Sequence, residues 1–213
     1  MEILVHGVKY KQDKNRITCS CDCVFIYEDK ETKKSLYYEC ISCPECGQEI
    51  ILRMKPMELK IDKTRKSPNF TKGHKVKVDT IVIHDTEGDD IKKTLKWFEN
   101  KEAQVSAHYI IGKDGAIYQM VEDEDTAWHC GKSCLPDNKK ETGGTVNHRS
   151  IGVELVNIGD GKHEFPKEQM DSLILLVQEL KSKHDIKYVV GHKEIAPGRK
   201  KDPAENFDWS KIR

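Results

Sequence analysis

Apolar and polar positions along the chain change period several times, and each change marks an element. Residues 76–83 end in the β-branched run Thr80-Ile81-Val82-Ile83, which predicts a buried central strand that gives way to polar residues at His84. Beyond Asp89 and Asp90, either of which can cap a helix, Ile91, Leu95 and Phe98 share one face of a helix predicted to run to about Lys101. Segments 107–111 and 116–121 flank the turn dipeptide Asp114-Gly115 and predict a hairpin. A further strand is predicted over 150–156, with Val153 and Leu155 on one side of the pleat and Glu154 on the other. Pro166 suits the start of a long helix to about His184, with Met170, Leu173, Ile174, Val177 and Leu180 as its buried stripe. Tyr188, Val189 and Val190, ending at Gly191, predict the last strand. Strands interleaved with helices define an α/β domain, a mixed central β-sheet flanked by helices.

Upstream the pattern is different. VFIYEDKETKKSLYYE, between two groups of cysteines, alternates and turns like a two-stranded hairpin. RMKPMELKIDKTRK is charged, lacks a clear period and is broken by Pro56, so it predicts a linker. The expected organisation is a small module over 1–55, a linker over 56–66 and a larger domain over 67–213. A chain of 213 residues is long enough for one good core plus such a module. Composition narrows the picture further. Lysine plus arginine and aspartate plus glutamate number 36 each, so no global field exists to hold nucleic acid or an anionic polymer. The first residues contain no sustained apolar stretch of the signal-peptide kind, and no run approaches membrane-spanning length. Synthesis in the cytoplasm is the expectation.

The candidate chemistry centres on VVGHKEIAPGRKKDP, residues 189–203. His192 stands at a strand end, and Asp202 follows ten residues later across a Pro197-Gly198 turn, so the two can converge. Imidazole and carboxylate suit Zn²⁺, and a catalytic zinc usually takes three protein ligands with one position left open. His84, again at the end of a buried run, is the best third donor. A lone histidine at a strand end is ordinarily bonded to backbone; the pair together with Asp202 points to a metal.

Six of the eight cysteines fall in the first fifty residues, and a cytosolic origin favours metal binding over disulfides. CPECG, at Cys43 to Gly47, has zinc-knuckle spacing, and CSCDC at Cys19 to Cys23 is its partner. Four thiolates complete a structural site, expected to be Cys21, Cys23, Cys43 and Cys46, with Cys19 the main rival for one position. So small a segment has little core without a metal. It resembles the zinc ribbons often found ahead of phage and prophage enzymes.

IVIHDT, SAHYIIGKDGAIYQMV, TAWHCG, NHRSIGVELVN and GHKEIAPGRKKDP occur in that order between about Ser67 and Trp209. Together they resemble the zinc-dependent N-acetylmuramoyl-L-alanine amidases of the phage-lysozyme and peptidoglycan-recognition-protein type. The resemblance implies zinc ligands at His84, His192 and Asp202, a catalytic carboxylate at Glu154 and a catalytic lysine at Lys200. Without it, Arg199, Lys200 and Lys201 could not be ranked. Two departures stand out: Asp85 follows the first ligand where histidine or an aromatic residue is common, and Cys130 replaces the usual alanine after Trp-His. Trp128 and His129 are expected to line the cleft, the indole offering a flat face to sugar or peptide. Asn147 and His108 are further candidates for substrate contact, His108 from a position behind the ligands.

Three functions fit this pattern to different degrees. A zinc amidase cutting bacterial peptidoglycan uses every residue named, as an endolysin released through a holin-type pore or as an autolysin. A binding protein on the same fold would recognise wall fragments without cutting, and would be marked by loss of a zinc ligand or of the carboxylate. A ribbon that binds nucleic acid or a polymerase would need clustered basic and aromatic residues, for which Tyr37, Tyr38, Lys30, Lys33 and Lys34 are weak support. The ribbon of an amidase would instead contact the wall or a protein partner.

Overall fold

A computed structural model describes residues 4–5, 8–9, 16–26, 31–34, 38–54, 59–135 and 145–213. Contacts divide the chain into two units, Met1–Glu58 and Leu59–Arg213. The first contains short antiparallel pieces: β1 (Leu4–Val5) with β2 (Val8–Lys9), β3 (Arg16–Thr18) with β4 (Val24–Ile26), and a sheet of β5 (Lys33–Lys34), β6 (Tyr38–Ser42) and β7 (Glu49–Met54). Tyr37 and Lys30 lie outside the described residues.

The second unit is built on a six-stranded mixed sheet. Its strands are β8 (Ile61–Asp62), β10 (Thr80–Asp85), β11 (Tyr109–Ile111), β12 (Ile117–Gln119), β14 (Ser150–Leu155) and β15 (Tyr188–Gly191), in the order β15-β10-β14-β11-β12-β8. The first four in that order run parallel, and β12 turns back antiparallel through the Asp114-Gly115 hairpin, where Gly115 takes φ +81°. The segment expected to be a linker is one only in part. Ile61–Asp62 extends the sheet beside β12, and Arg65 forms a paired ion bridge to Glu99, because the apolar Leu59 and Ile61 pack against the main core. A smaller two-stranded sheet joins β9 (Phe70–Thr71) to β13 (Thr126–Ala127).

Helix α1 (Ile91–Glu99) starts at Asp90, whose side chain accepts from the N–H groups of Lys92 and Lys93, and α2 (Lys167–Lys183) follows Pro166. The short α3 (His192–Ile195) continues directly from β15. Helix α2 packs Met170, Leu173, Leu176, Val177 and Leu180 onto one sheet face, made by Ile81, Ile83, Ile151, Val153 and Leu155. The opposite face carries Val82 among Cys130, Val146 and Ile195, and Ile110 beneath Leu95 and Phe98 of α1. Burial on both faces explains why the central strands read as unbroken apolar runs. It also means that a polar side chain in them points into protein, not water. The first central strand begins at Thr80 rather than at residue 76, since Val76 is exposed and Asp79 is committed elsewhere.

Asp79 accepts from Nε of Arg149 at 2.9 Å and also from its Nη2, tying the starts of β10 and β14 together with both side chains largely buried. Burial alone would raise the Asp79 carboxyl; the Arg149 hydrogen bonds outweigh it and hold the group below its usual range. Arg149→Ala strands a buried carboxylate and is expected to cost about 3 kcal/mol, a fall of roughly 10 °C in Tm by calorimetry. Because the folded-state pKa is depressed, this contribution is present above the unfolded value and lost as pH falls through the folded one. The gap between parent and variant should therefore close below about pH 4.

Candidate active site

Parallel register places the chemistry. His84 is the register partner of Glu154 across β10 and β14, and Ile83 is the partner of Gly191 across β10 and β15. One step on, His192 stands beside His84, with ring centroids 4.5 Å apart. His192, His84 and Glu154 thus form a row across three adjacent strands at their carboxyl ends, where open α/β sheets place ligands. Asp202 reaches the same point from the loop after α3: its Oδ2 lies 2.9 Å from His84 Nδ1 and 3.0 Å from His192 Nδ1. All three side chains are buried.

The loop carrying Asp202 is held at several points. Lys193 N–H donates to the Asp202 carbonyl at 2.8 Å, and Ala204 N–H donates to Asp85 Oδ2 at 2.8 Å. Asp85, conspicuous in sequence only as a departure, therefore fixes the backbone two residues past Asp202. Arg199 does not simply face solvent: it donates to the carbonyls of Cys130 and Lys132, pinning the loop to residues 130–132. Lys200 lines the cleft, and Lys201 is exposed.

The donor set fits a divalent cation. His192 Nε2 lies 3.1 Å from the Cys130 carbonyl, which can only accept, so the ring donates there and a neutral His192 turns a bare Nδ1 toward Asp202. Burial pushes His84 down to about 4, leaving it a neutral imidazole at physiological pH. Asp202 Oδ1 is buried without a hydrogen-bond partner. Bare nitrogens and carboxylate oxygens crowded within 4.8 Å repel unless a cation lies among them. Glu154 is equally exposed to question: its Oε2 is shielded and unpartnered, and burial, then the charges of Asp202 and Asp85, raise its carboxyl well above the ordinary range.

These groups open onto a cleft of about 660 Å³, whose wall also includes Trp128, His129, Trp97 and Lys93. Trp128 is half-buried and donates from Nε1 to Thr71 Oγ1 at 3.0 Å, which leaves a ring face toward the cleft. Two expected substrate contacts are corrected. His108 is fully buried, its Nδ1 accepting from Gly152 N–H and its Nε2 bonded to the Asp125 carbonyl, so no ring atom is free for a ligand. Asn147 is buried too, its Oδ1 accepting from the N–H groups of His129 and Cys130; it shapes the backbone behind the cleft.

In the first unit the four thiols within 4.8 Å of one another are Cys19, Cys21, Cys43 and Cys46. Cys23 is not among them, a correction in favour of the rival. Cys19 N–H donates to the Cys23 carbonyl, making these residues the facing pair that closes the β3–β4 hairpin, and the tight turn between them presents Cys19 and Cys21 together. Opposite, Gly47 N–H donates to the Cys43 carbonyl, and backbone N–H from Cys46 is foremost in lowering the Cys43 thiol to about 6.

A mixed sheet with two histidines at the ends of adjacent parallel strands, and an aspartate brought to them by the loop after α3, gives the second unit an α/β fold with a candidate metal site. Residues 74–205 match the N-acetylmuramoyl-L-alanine amidase family, Amidase_2, and the chain belongs to that family. It is 34% identical over 153 residues to the N-acetylmuramoyl-L-alanine amidase AmiD of Escherichia coli (strain K12), covering 64% of this chain and 52% of AmiD. It is 37% identical over 112 residues to the 1,6-anhydro-N-acetylmuramyl-L-alanine amidase AmpD of the same organism, covering 52% of this chain and 57% of AmpD. The chain thus spans about half the length of the curated relatives it matches. AmiD in complex with anhydro-N-acetylmuramic acid-L-Ala-D-gamma-Glu-L-Lys superposes with a TM-score of 0.56 at 27% identity, over 86% of this chain and 65% of that one. The amidase LysC from Clostridium intestinale URNW shares the fold, with a TM-score of 0.54 at 21% identity over 74% of this chain and 95% of LysC. No helix among the described residues is long and apolar enough to cross a membrane.

The cysteine geometry is open to direct measurement. Cys19→Ser should lower the zinc content of purified protein by one ion per chain, measured by atomic emission, whereas Cys23→Ser should leave it unchanged.

Proposed function

We propose that this protein is a zinc-dependent N-acetylmuramoyl-L-alanine amidase that hydrolyses the amide joining the lactyl group of N-acetylmuramic acid to L-alanine in peptidoglycan. The observation that carries the proposal is the row His192, His84, Glu154 converging with Asp202 and Lys200 on one cleft. Family membership and the muramyl-peptide complex of AmiD support the same substrate class.

An amide resists water because resonance weakens its carbonyl as an electrophile and its amine leaves poorly. A zinc ion held by His84, His192 and Asp202 would polarise that carbonyl and lower the pKa of a water to roughly 7. Glu154 takes a proton from the attacking water and returns it to the departing nitrogen. Burial, which raises its carboxyl, favours the second half of that exchange, the return of the proton. Lys200 sets a fixed positive charge against the negative charge that grows on the carbonyl oxygen. Trp128 supplies a flat apolar face for sugar or peptide, and the bound substrate excludes water from a site whose charges then act at low dielectric.

A protein that only bound wall fragments would have no use for a half-buried carboxylate on an apolar strand, which costs free energy unless something compensates it. The working organisation is a ribbon holding a structural zinc on Cys19, Cys21, Cys43 and Cys46, followed by the amidase domain. The ribbon positions the enzyme on the wall or on a partner, in an endolysin or autolysin role.

Digested peptidoglycan should yield stem peptides with free amino-terminal alanine by mass spectrometry, with activity lost to a chelator and restored by Zn²⁺. New reducing sugar ends instead would mean a glycosidase. Running intact walls beside soluble 1,6-anhydromuramyl peptides, the substrate in the name of AmpD, decides which form is preferred. Glu154→Gln should lower kcat by roughly 10²–10⁴ with zinc retained, and Lys200→Ala by roughly 10²–10³. Full activity in Glu154→Gln would remove the proton-transfer assignment.

A further inference from the structure

His129 is not one of the three donors at the candidate cation described above; it stands with His84 and Cys130 in a second group of close donors, and both of its ring nitrogens are placed by specific partners. Nδ1 lies 3.0 Å from His84 Nε2, and Nε2 lies 3.1 Å from Ser150 Oγ. Ser150 Oγ in turn donates its only proton to the Val146 carbonyl at 2.8 Å. The proton count then runs one way. Ser150 Oγ is also within hydrogen-bond reach of the Cys130 sulfur, but the Val146 carbonyl at 2.8 Å is the stronger acceptor; with its hydrogen held there, Ser150 accepts from His129, so His129 carries its proton on Nε2. Its Nδ1 is consequently bare and accepts from His84 Nε2–H. A neutral His84 with its proton on Nε2 has a lone pair on Nδ1, the atom that faces Asp202 Oδ2.

The seat of the ring is equally specific. A Cβ on Gly152 would fall 2.5 Å from His129 Cγ and 2.6 Å from its Nδ1, so the imidazole lies directly against bare strand backbone. That backbone is itself held by His108, which accepts from Gly152 N–H at 2.9 Å and whose N–H donates to the Gly152 carbonyl. Asn147 anchors His129 from the other side, its Oδ1 accepting from the His129 backbone N–H at 3.3 Å. The Cys130 thiol also lies 3.0 Å from Nδ1, but a thiol is a weak donor and competes poorly with an imidazole N–H.

We propose that His129, seated on Gly152 and oriented by Ser150, is a positioning residue that locks His84 in the tautomer whose bare Nδ1 meets the cation. Partners behind a metal-binding histidine typically change affinity by about 10–100-fold when removed. The inference rests on the zinc-hydrolase proposal above, and the test separates the two. Zinc-loaded full-length protein is challenged with a chromogenic chelator; the release phase missing from His192→Ala reports this site and not the ribbon. His129→Leu, which removes the acceptor, should release that zinc about 10–100-fold more readily. His129→Asn, whose Oδ1 can accept at the position of Nδ1, should stay within a few-fold of the parent. At saturating zinc, kcat should fall in His129→Leu with KM unchanged. Should His129→Leu fail to fold by circular dichroism, Ser150→Ala decides, since it frees His129 to take either tautomer and should weaken retention without touching the packing. Parent-like retention in His129→Leu or in that Ser150 variant, or equal loss in the Asn and Leu variants, overturns the relay. A parent protein with no release phase sensitive to His192→Ala overturns the zinc-hydrolase proposal instead.

Discussion

Parallel pairing of β10 with β14 and β15 is the constraint on which the rest of the second unit depends. Side chains alternate along a strand, so a slip of one residue between β10 and β14 would send His84 and Glu154 to opposite faces, and a slip between β10 and β15 would carry His192 away from His84. The row would be lost even with every residue present. The register is held by burial on the α2 side: Ile81, Ile83, Ile151, Val153 and Leu155 must all face α2, and that leaves His84, Gly152 and Glu154 no other face. The Asp79–Arg149 bridge at the strand starts acts in the same sense, because it cannot form out of register.

Around that row the protein spends polar interactions on position. Asp85 holds Ala204, Arg199 holds residues 130–132, Asn147 holds the backbone of His129 and Cys130, and His108 holds Gly152. Asp85, Asn147 and His108 stay off the His84, His192 and Asp202 side chains, and Arg199 reaches only the outer ring nitrogen of His192, at 3.4 Å. Each removes freedom from a segment that carries one of them, and preorganisation of this kind is what lets buried charges act on a reacting group without first rearranging. The cost is carried by unpartnered atoms such as Asp202 Oδ1 and Glu154 Oε2, which sit where a ligand would satisfy them.

The first unit follows another economy. Its described strands are two to six residues long, and four of its described thiols, Cys19, Cys21, Cys43 and Cys46, converge from two tight turns. A segment of this size gains little from apolar burial, so cross-linking through a metal is the efficient route to order.

Much of this was legible along the chain. The β-branched runs announced β10 and β15, the 3.6 spacing announced α1 and α2, and Asp114-Gly115 announced the hairpin, because each signal is local and each element buries a face dictated by its own period. Strand-end polarity marked His84 and His192, and Glu154 stood out as a carboxylate inside an apolar alternation. What the sequence left open were choices between neighbours: Lys200 over Arg199 and Lys201, Cys19 over Cys23, and a buried His108 against one facing a ligand. Those depend on which way a turn points and on partners many residues away, such as Asp85 with Ala204 or Arg149 with Asp79. The residues and their periods determined that two histidines would stand at strand ends, a glutamate inside an apolar strand and an aspartate in the loop that follows; only the register of three parallel strands decided that they meet, since pairing between strands is set by packing across the whole sheet and not by any one of them.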